Sequence, residues 1–308
     1  MEEKILKDQL SFQPQLENKL PETIAYDNVI VGGMGGSALP AKLLFFLDPV
    51  FPLWLHDDYG LPEKNNGKTL FVAISYSGNT REALSFAKEA LEKNYPLAII
   101  SSGGALLEMA KKNNITYITV PSGVEPREGV IYMLRALLFL TGQIDLLTAL
   151  ENAVFDYESF KLEGEKIGES FEKEIPLIYA SRRNSTLALI WKIMLNESGK
   201  LPAFSNIFPE LTHNEMQSIA SENGEGNFKV LLLQDSEDEE RVKHSMEVFT
   251  SLAPANKIKL EVLPLPVGNV SKLLHTLVAA YYAGQIVAQK KGIDPVKVPF
   301  IELFKKSL

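Results

Sequence analysis

Residues 75–80 read Ser-Tyr-Ser-Gly-Asn-Thr and place three hydroxyl side chains around one glycine: Ser75, Ser77, Thr80 and Gly78. The apolar run before them, residues 70–74, predicts a buried strand of a parallel sheet. Helical periodicity follows, so the stretch is predicted to be a strand-to-helix turn, with Asn79 or Thr80 capping the helix. Hydroxyl donors, a glycine that permits close approach and a helix N-terminus together favour a bound phosphate over an ordinary capped turn.

A second glycine-rich loop, residues 32–37, follows the predicted first strand, residues 28–31. One interpretation is a nicotinamide dinucleotide site, because Gly33, Gly35 and Ala38 match the looser fingerprint and Asp57 or Asp58 would reach a ribose. The other is direct contact of a sugar phosphate with the loop, through Gly35, Gly36 and Ser37. The hydroxyl-rich turn favours the second interpretation, since a dinucleotide needs no further phosphate cradle there.

Predicted strands alternate with predicted helices along the whole chain, which is typical of the α/β class. The strands of the first half are predicted at residues 28–31, 52–55, 70–74, 96–100 and 116–120. A similar pattern restarts in the second half, with strands at residues 175–180, 228–233 and 258–262. We therefore expect two doubly wound parallel-sheet domains with flanking helices, residues 1–150 and 151–308.

Composition excludes several classes of protein. The net charge of −8 argues against a nucleic-acid partner, and the absence of cysteine excludes disulfides and thiolate chemistry. The charged N-terminus does not resemble a signal peptide, and the most apolar long run, residues 273–288, is too short and too interrupted to span a membrane. A cytoplasmic protein without a membrane partner is expected.

Two later segments carry a resemblance to a known family. Residues 191–197, Trp-Lys-Ile-Met-Leu-Asn-Glu, and residues 209–215, Pro-Glu-Leu-Thr-His-Asn-Glu, resemble the bifunctional phosphoglucose/phosphomannose isomerases of the phosphoglucose isomerase superfamily. The resemblance covers nearly the whole chain, including Asp294, Pro295 and the final helix. It implies two sugar-isomerase domains, sugar-phosphate substrates and no cofactor.

The resemblance also implies roles for individual residues. Ser37, Ser75, Ser77 and Thr80 would hold the phosphate of the sugar. Arg127 would lie beside the reacting carbons, and Glu197 would be the catalytic base. His213 would help to open the sugar ring from the neighbouring subunit, which implies a homodimer, and Lys305, with Lys306 beside it, would assist.

The chain departs from the family pattern at two places. The residues after Arg127 are often small and apolar in the family, whereas here they are Glu128 and Gly129. Some members carry a threonine near the start of the last helix that is linked to acceptance of mannose 6-phosphate. The corresponding position here is Val298.

Aldose–ketose isomerisation through an enediolate needs one base that takes and returns a proton, and a carboxylate shielded from water suits this task. Glu197 lies at the end of an apolar helical segment, residues 187–195; the alternative is a helix-end glutamate in solvent. A fixed cation would stabilise the developing charge, and Arg127 is a candidate. Its alternative is a surface ion pair with Glu125 or Glu128.

Histidine titrates near neutral pH and therefore suits ring opening. His56, His244 and His275 lie on a predicted strand end or on helices and are expected to be structural, whereas His213 lies in a polar turn. No group of His, Asp and Glu has convincing metal-ligand spacing, so metal-independent isomerisation is expected.

The sequence thus predicts conversion of glucose 6-phosphate and mannose 6-phosphate to fructose 6-phosphate. The alternative is a non-catalytic sugar-phosphate sensor on the same fold. Such a sensor would need the hydroxyls at 75, 77 and 80 but would have no use for Glu197 or His213.

Overall fold

Parallel strands form two separate sheets, one in each half of the chain. The computed structural model describes residues 1–18, 26–63, 68–171, 173–220 and 227–307. The chain divides into two units, Glu2–Asn152 and Ala153–Leu308, and Met1 belongs to the second.

The N-terminal unit contains a five-stranded sheet. Its strands are β1 Asn28–Gly32, β2 Leu53–His56, β3 Thr69–Ser75, β4 Leu97–Ser101 and β5 Thr116–Thr119. Its helices are α1 Glu3–Leu10, α2 Leu39–Leu47, α3 Arg81–Glu92, α4 Gly104–Lys112, α5 Val130–Leu140 and α6 Ile144–Glu151. The strand order is β2-β1-β3-β4-β5, and every neighbouring pair is parallel.

Burial explains why the central strands of this sheet have no polar face. All residues of β3 and β4 are buried, and one layer of the core joins Phe71 and Ile99 of these strands to Phe86 of α3. Helices that cover both faces of a parallel sheet leave no face for solvent, so a continuous apolar run is the expected sequence pattern.

The C-terminal unit contains a four-stranded sheet. Its strands are β6 Ile175–Ser181, β7 Phe204–Phe208, β8 Phe228–Gln234 and β9 Lys259–Pro264. Its helices are α7 Tyr157–Ser170, α8 Ser185–Glu197, α9 Glu215–Ile219, α10 Glu240–Leu252, α11 Asn269–Lys290 and α12 Pro299–Ser307. The order β7-β6-β8-β9 repeats the first four positions of the other sheet, again with parallel pairs.

The predicted α/β class with two parallel sheets is confirmed. Strand β7 was not predicted, because Phe204–Phe208 contains serine and asparagine and is partly exposed at the edge of its sheet. Helix α1 and the apolar helix α5 were not predicted either. Among the described residues, no helix is long and apolar enough to cross a bilayer.

The turn after β3 packs tightly against the turn after β4. Gly78 has a φ of +70°, and a Cβ atom at this position would lie 1.8 Å from the carbonyl oxygen of Gly103. The carbonyl of Gly78 accepts a hydrogen bond from the backbone N–H of Leu106 at 2.9 Å, within the first turn of α4. Gly78 is therefore required both for its backbone conformation and for the close approach of the two turns.

The capping prediction for this turn was wrong. Thr80 occupies the N-cap position of α3, but its side chain makes no capping hydrogen bond. The side chain of Asn79 instead accepts a hydrogen bond at 3.1 Å from the backbone N–H of Ala105, in the first turn of the neighbouring helix α4. Asn79 thus caps α4, the helix that follows the neighbouring strand β4, and this hydrogen bond holds the two turns together.

Substitution of Gly78 by alanine is expected to lower the free energy of unfolding by roughly 2–4 kcal/mol, because the Cβ atom meets backbone and the positive φ is unfavourable for alanine. Urea unfolding measures this loss. Gly103→Ala is the matched control, since its Cβ atom meets nothing within 4 Å and its backbone is extended. Equal stability of the two variants would contradict the close approach at Gly78.

Candidate functional site

The glycine loop forms a short 3-10 turn, Gly35–Ser37, after β1. Gly35 has a φ of +51°, and a Cβ atom on Gly36 would lie 2.9 Å from the carbonyl oxygen of Pro126 and 3.1 Å from the backbone nitrogen of Arg127. Gly36 is therefore needed so that the segment carrying Arg127 can approach the loop. This contact explains the glycine without a dinucleotide.

The hydroxyls named in the sequence analysis lie in two connected turns. Ser37 Oγ accepts a hydrogen bond from the backbone N–H of Tyr76 at 3.0 Å. Ser75 Oγ accepts from the N–H of Gly78 at 3.1 Å and donates to Thr80 Oγ1 at 2.9 Å. Ser77 is exposed, and its Oγ accepts from the N–H of Asn79 at 3.3 Å.

The four hydroxyls differ in whether their proton is already donated within the protein. Ser37, Ser77 and Thr80 each accept a bond through oxygen and retain a proton that can be donated to a phosphate. Ser75 is buried and directs its proton to Thr80. The geometry therefore makes Ser75 a support for Thr80, rather than a fourth donor equivalent to the other three.

Tyr76 was given no function in the sequence analysis, although it lies at the centre of this region. Its carbonyl accepts hydrogen bonds from the backbone N–H and the hydroxyl of Ser102, at 3.0 and 2.6 Å. Its own hydroxyl donates to the carbonyl of Pro121 at 3.0 Å, and burial raises the pKa of this phenol. The aromatic residue between two serines was the signal available, but its partners are distant in sequence.

Arg127 is buried, with 2 % of its surface exposed, and its Nη1 lies 3.3 Å from an oxygen of Glu125. The ion pair considered as an alternative is present, but the guanidinium is not on the surface. Burial also raises the pKa of the neighbouring Glu128 carboxyl. The N-terminal unit thus brings together the glycine loop, the hydroxyl turn and a buried cation.

Glu197 is the last residue of α8, and it lines a cavity of about 510 Å³ in the C-terminal unit. The apolar helix before it is largely buried, whereas Glu197 itself is partly exposed. The cavity walls are mostly apolar: Ile293, Val298, Pro299, Phe300 and Ile301, with Asn196, Lys200, Asp294 and Lys297 adding polar groups. A carboxylate beside apolar walls is a suitable setting for a general base.

Lys200 connects the end of α8 with the segment that precedes α12. Its ammonium donates to the backbone carbonyl of Glu197 and, at 3.1 Å, to that of Pro295. Lys200 thereby holds the loop leading to Val298 against the helix end that carries Glu197. Lys200 was not among the predicted site residues, because nothing in its local sequence pattern distinguishes it from a surface residue.

His213 ends the 3-10 turn Glu210–His213 and is exposed, and Lys305 is exposed on α12. The described residues that line the cavity around Glu197 include neither of them. The side chain of Lys306 lies outside the described part of the chain. A common site for Glu197, His213, Arg127 and Lys305 therefore stays a prediction.

Within the described ranges, no group of three or more His, Asp and Glu side chains is placed to hold a metal ion. Metal-independent chemistry stays a prediction that only an assay can test. His275, expected to be structural, is buried on α11 with its Nε2 2.5 Å from an oxygen of Glu163.

Comparison with known proteins places these features in a family. Residues 160–308 match the family model described as the bacterial phospho-glucose isomerase C-terminal SIS domain. A bifunctional phosphoglucose/phosphomannose isomerase of Thermoplasma acidophilum is 30 % identical and covers 99 % of this chain and 96 % of its own length. One from Aquifex aeolicus is 31 % identical, covering 96 % of this chain and 95 % of its own.

Solved structures support the same fold. A hypothetical protein from Thermus thermophilus superposes with a TM-score of 0.71 at 20 % identity, covering 91 % of this chain and 82 % of its own. At this identity the likeness concerns the fold alone. The near full-length similarity to the curated relatives shows the family, and the chain belongs to the bifunctional phosphoglucose/phosphomannose isomerases.

Proposed function

We propose that this protein interconverts glucose 6-phosphate and mannose 6-phosphate with fructose 6-phosphate. The observation that carries the proposal is the position of Glu197, at the end of a buried helix and beside a largely apolar cavity, in a chain that belongs to this isomerase family. A sensor that only binds sugar phosphates has no need for a carboxylate in that position.

The phosphate of the sugar is assigned to the hydroxyl turn and the glycine loop of the N-terminal unit. Ser37, Ser77 and Thr80 donate to its oxygens, and the backbone of Gly35 and Gly36 permits close contact. The first turn of α3 adds the positive end of its helix dipole. Binding energy at the phosphate then holds the reacting carbons in place.

Ring opening comes first, because the substrates are predominantly cyclic. In glucose 6-phosphate the proton leaves O1, the C1–O5 bond breaks as the C1 carbonyl forms, and O5 receives a proton. His213 is proposed to transfer these protons, with Lys305 assisting. In the homodimer that the resemblance implies, His213 would serve the site of the neighbouring subunit.

Isomerisation follows on the open chain. Glu197 takes the proton from C2, the electron pair forms the C1–C2 double bond, and O1 becomes negatively charged. The proton on O2 moves to O1, and Glu197 returns its proton to C1, which leaves a carbonyl at C2. Arg127 is proposed to stabilise the negative charge of this enediolate, as a fixed cation at the developing charge does in general.

Three further points of the proposal follow the resemblance. The two units correspond to two sugar-isomerase domains with a boundary near residue 150, which agrees with the division after Asn152 and with the family match beginning at residue 160. The protein acts without a metal or cofactor. It is a cytoplasmic homodimer.

The direct test is incubation with each aldose phosphate in deuterated water containing a chelator. We expect fructose 6-phosphate from both substrates, with deuterium incorporated at the exchanging carbon. Tight binding without exchange would instead identify a sensor. Activity that the chelator removes and a divalent cation restores would contradict the metal-independent mechanism.

Glu197→Gln is expected to lower kcat by about 10²–10⁴-fold, because the amide cannot take the C2 proton, while fructose 6-phosphate still binds. Steady-state kinetics and calorimetry measure the two effects. Glu247→Gln, at an exposed position on α10, is the matched control and should leave both unchanged. A Glu197→Gln protein with normal turnover would exclude Glu197 as the base.

Val298→Thr is expected to raise the ratio of mannose 6-phosphate to glucose 6-phosphate turnover several-fold, because it adds a hydroxyl to the cavity wall near Glu197. Competition between the two substrates measures this ratio. Val296→Thr is the control, since Val296 is exposed and does not belong to the described lining of the cavity. An unchanged ratio would show that residue 298 does not set the preference.

A further inference from the structure

His213 lies between two anchored residues. Leu211, two positions before it, is fully buried and packs in a cluster with Phe208 and Val230. Glu215, two positions after it, begins α9 and faces the sheet. The exposed histidine therefore sits on a short turn whose position depends on contacts made by its neighbours on both sides.

The carboxylate of Glu215 bridges two strands. One oxygen accepts a hydrogen bond from the hydroxyl of Tyr179 on β6, and the other accepts from the amide Nδ2 of Asn206 on β7; both distances are 2.6 Å. Tyr179 and Asn206 are register partners in the β6–β7 pair, so their side chains lie side by side on one face of the sheet. Glu215 therefore links β6 and β7 at one pair of register partners.

These two hydrogen bonds are of a strong kind. In both, the donor faces an oxygen of the Glu215 carboxylate at short distance, and Tyr179 is fully buried. Burial and the neighbouring carboxylate raise the pKa of the Tyr179 hydroxyl, so it keeps its proton and remains a donor. A glutamine at position 215 loses the charge, and its amide N–H₂ fits only the Tyr179 side, where the phenol would have to reverse from donor to acceptor.

We propose that Glu215 is the positioning residue of His213. Its bonds to Tyr179 and Asn206 fix the turn 210–214 to strands β6 and β7, and the imidazole is thereby held in the geometry needed for ring opening. The inference rests on the proposed function, in which His213 opens the sugar ring. Glu215 itself touches no reacting atom in this account.

A substrate that cannot close its ring distinguishes a loss of His213 positioning from a general loss of folded protein. Fructose 6-phosphate closes through O5, so 5-deoxyfructose 6-phosphate stays open and bypasses ring opening. Glu215→Gln is expected to lower kcat/KM for fructose 6-phosphate by about 10–100-fold, since small misplacement of a reacting group has effects of that size. Proton exchange at C1 of the 5-deoxy compound should stay at the wild-type rate.

Two further variants keep the test decisive. Glu210→Gln makes the same change at the other end of the turn 210–214. The carboxylate of Glu210 is exposed and bonds only to Asn214 in the contacts described, so both substrates should react normally. Tyr179→Phe removes one of the two bonds while leaving Glu215 in place. It should reproduce the selective loss to a smaller degree, and it covers the case in which Glu215→Gln fails to fold.

The outcomes are distinguishable. A wild-type protein that does not turn over fructose 6-phosphate overturns the proposed function. If the wild-type protein turns over fructose 6-phosphate, and the Glu215 and Tyr179 variants lose equal activity on this substrate and on the 5-deoxy compound, the role of Glu215 is purely structural. Normal turnover of fructose 6-phosphate by both variants also overturns the positioning role.

Discussion

Hydrogen bonds of Tyr76 join the loops that follow several strands of the first sheet. Its backbone N–H binds the Ser37 hydroxyl, its carbonyl accepts two bonds from Ser102, and its phenol holds the carbonyl of Pro121. Parallel strands end at one edge, but their loops remain independent unless something connects them. Because Tyr76 connects the loops after β1, β3, β4 and β5, the proposed phosphate-binding hydroxyls and the segment leading to Arg127 are held as a single structure.

The second sheet repeats the strand order of the first but fills the corresponding edge differently. Between the ends of β6 and β8, the fully buried Lys272 pairs with Asp235 at 2.6 Å, and Asn184 donates to the same carboxylate at 2.9 Å. A buried pair of this kind tolerates the loss of neither partner, since the remaining charge would be uncompensated. The edge that offers hydroxyls in one unit is therefore occupied by the protein's own side chains in the other.

The proposed chemistry of the C-terminal unit accordingly lies away from that edge. Helix α8 begins beside Asn184 and ends at Glu197, roughly 20 Å away along the helix axis. There, the apolar cavity wall and the Lys200 bonds surround the candidate base. In the proposed mechanism, the same supersecondary pattern would therefore bind phosphate at a strand end in one unit and carry the base at a helix end in the other.

Much of this could be predicted wherever the determinants are local. The apolar run 70–74 indicated β3, helical periodicity indicated α3 and α8, and the cluster of hydroxyls around Gly78 indicated the turn. The interactions that were missed are non-local: Asn79 caps a different helix from the one it precedes, and Glu215 binds side chains of two strands. Edge strand β7 was missed because partial exposure removes the apolar pattern.

In the proposed mechanism, a single carboxylate moves a proton between adjacent carbons of a sugar phosphate. The decisive experiment for this transfer is the conversion of glucose 6-phosphate, labelled with deuterium at C2, in ordinary water under single-turnover conditions. A carboxyl group that holds the label should deliver part of it to C1 of fructose 6-phosphate and lose the rest to water. Complete transfer to C1 without any loss to water would indicate hydride migration and would contradict the account.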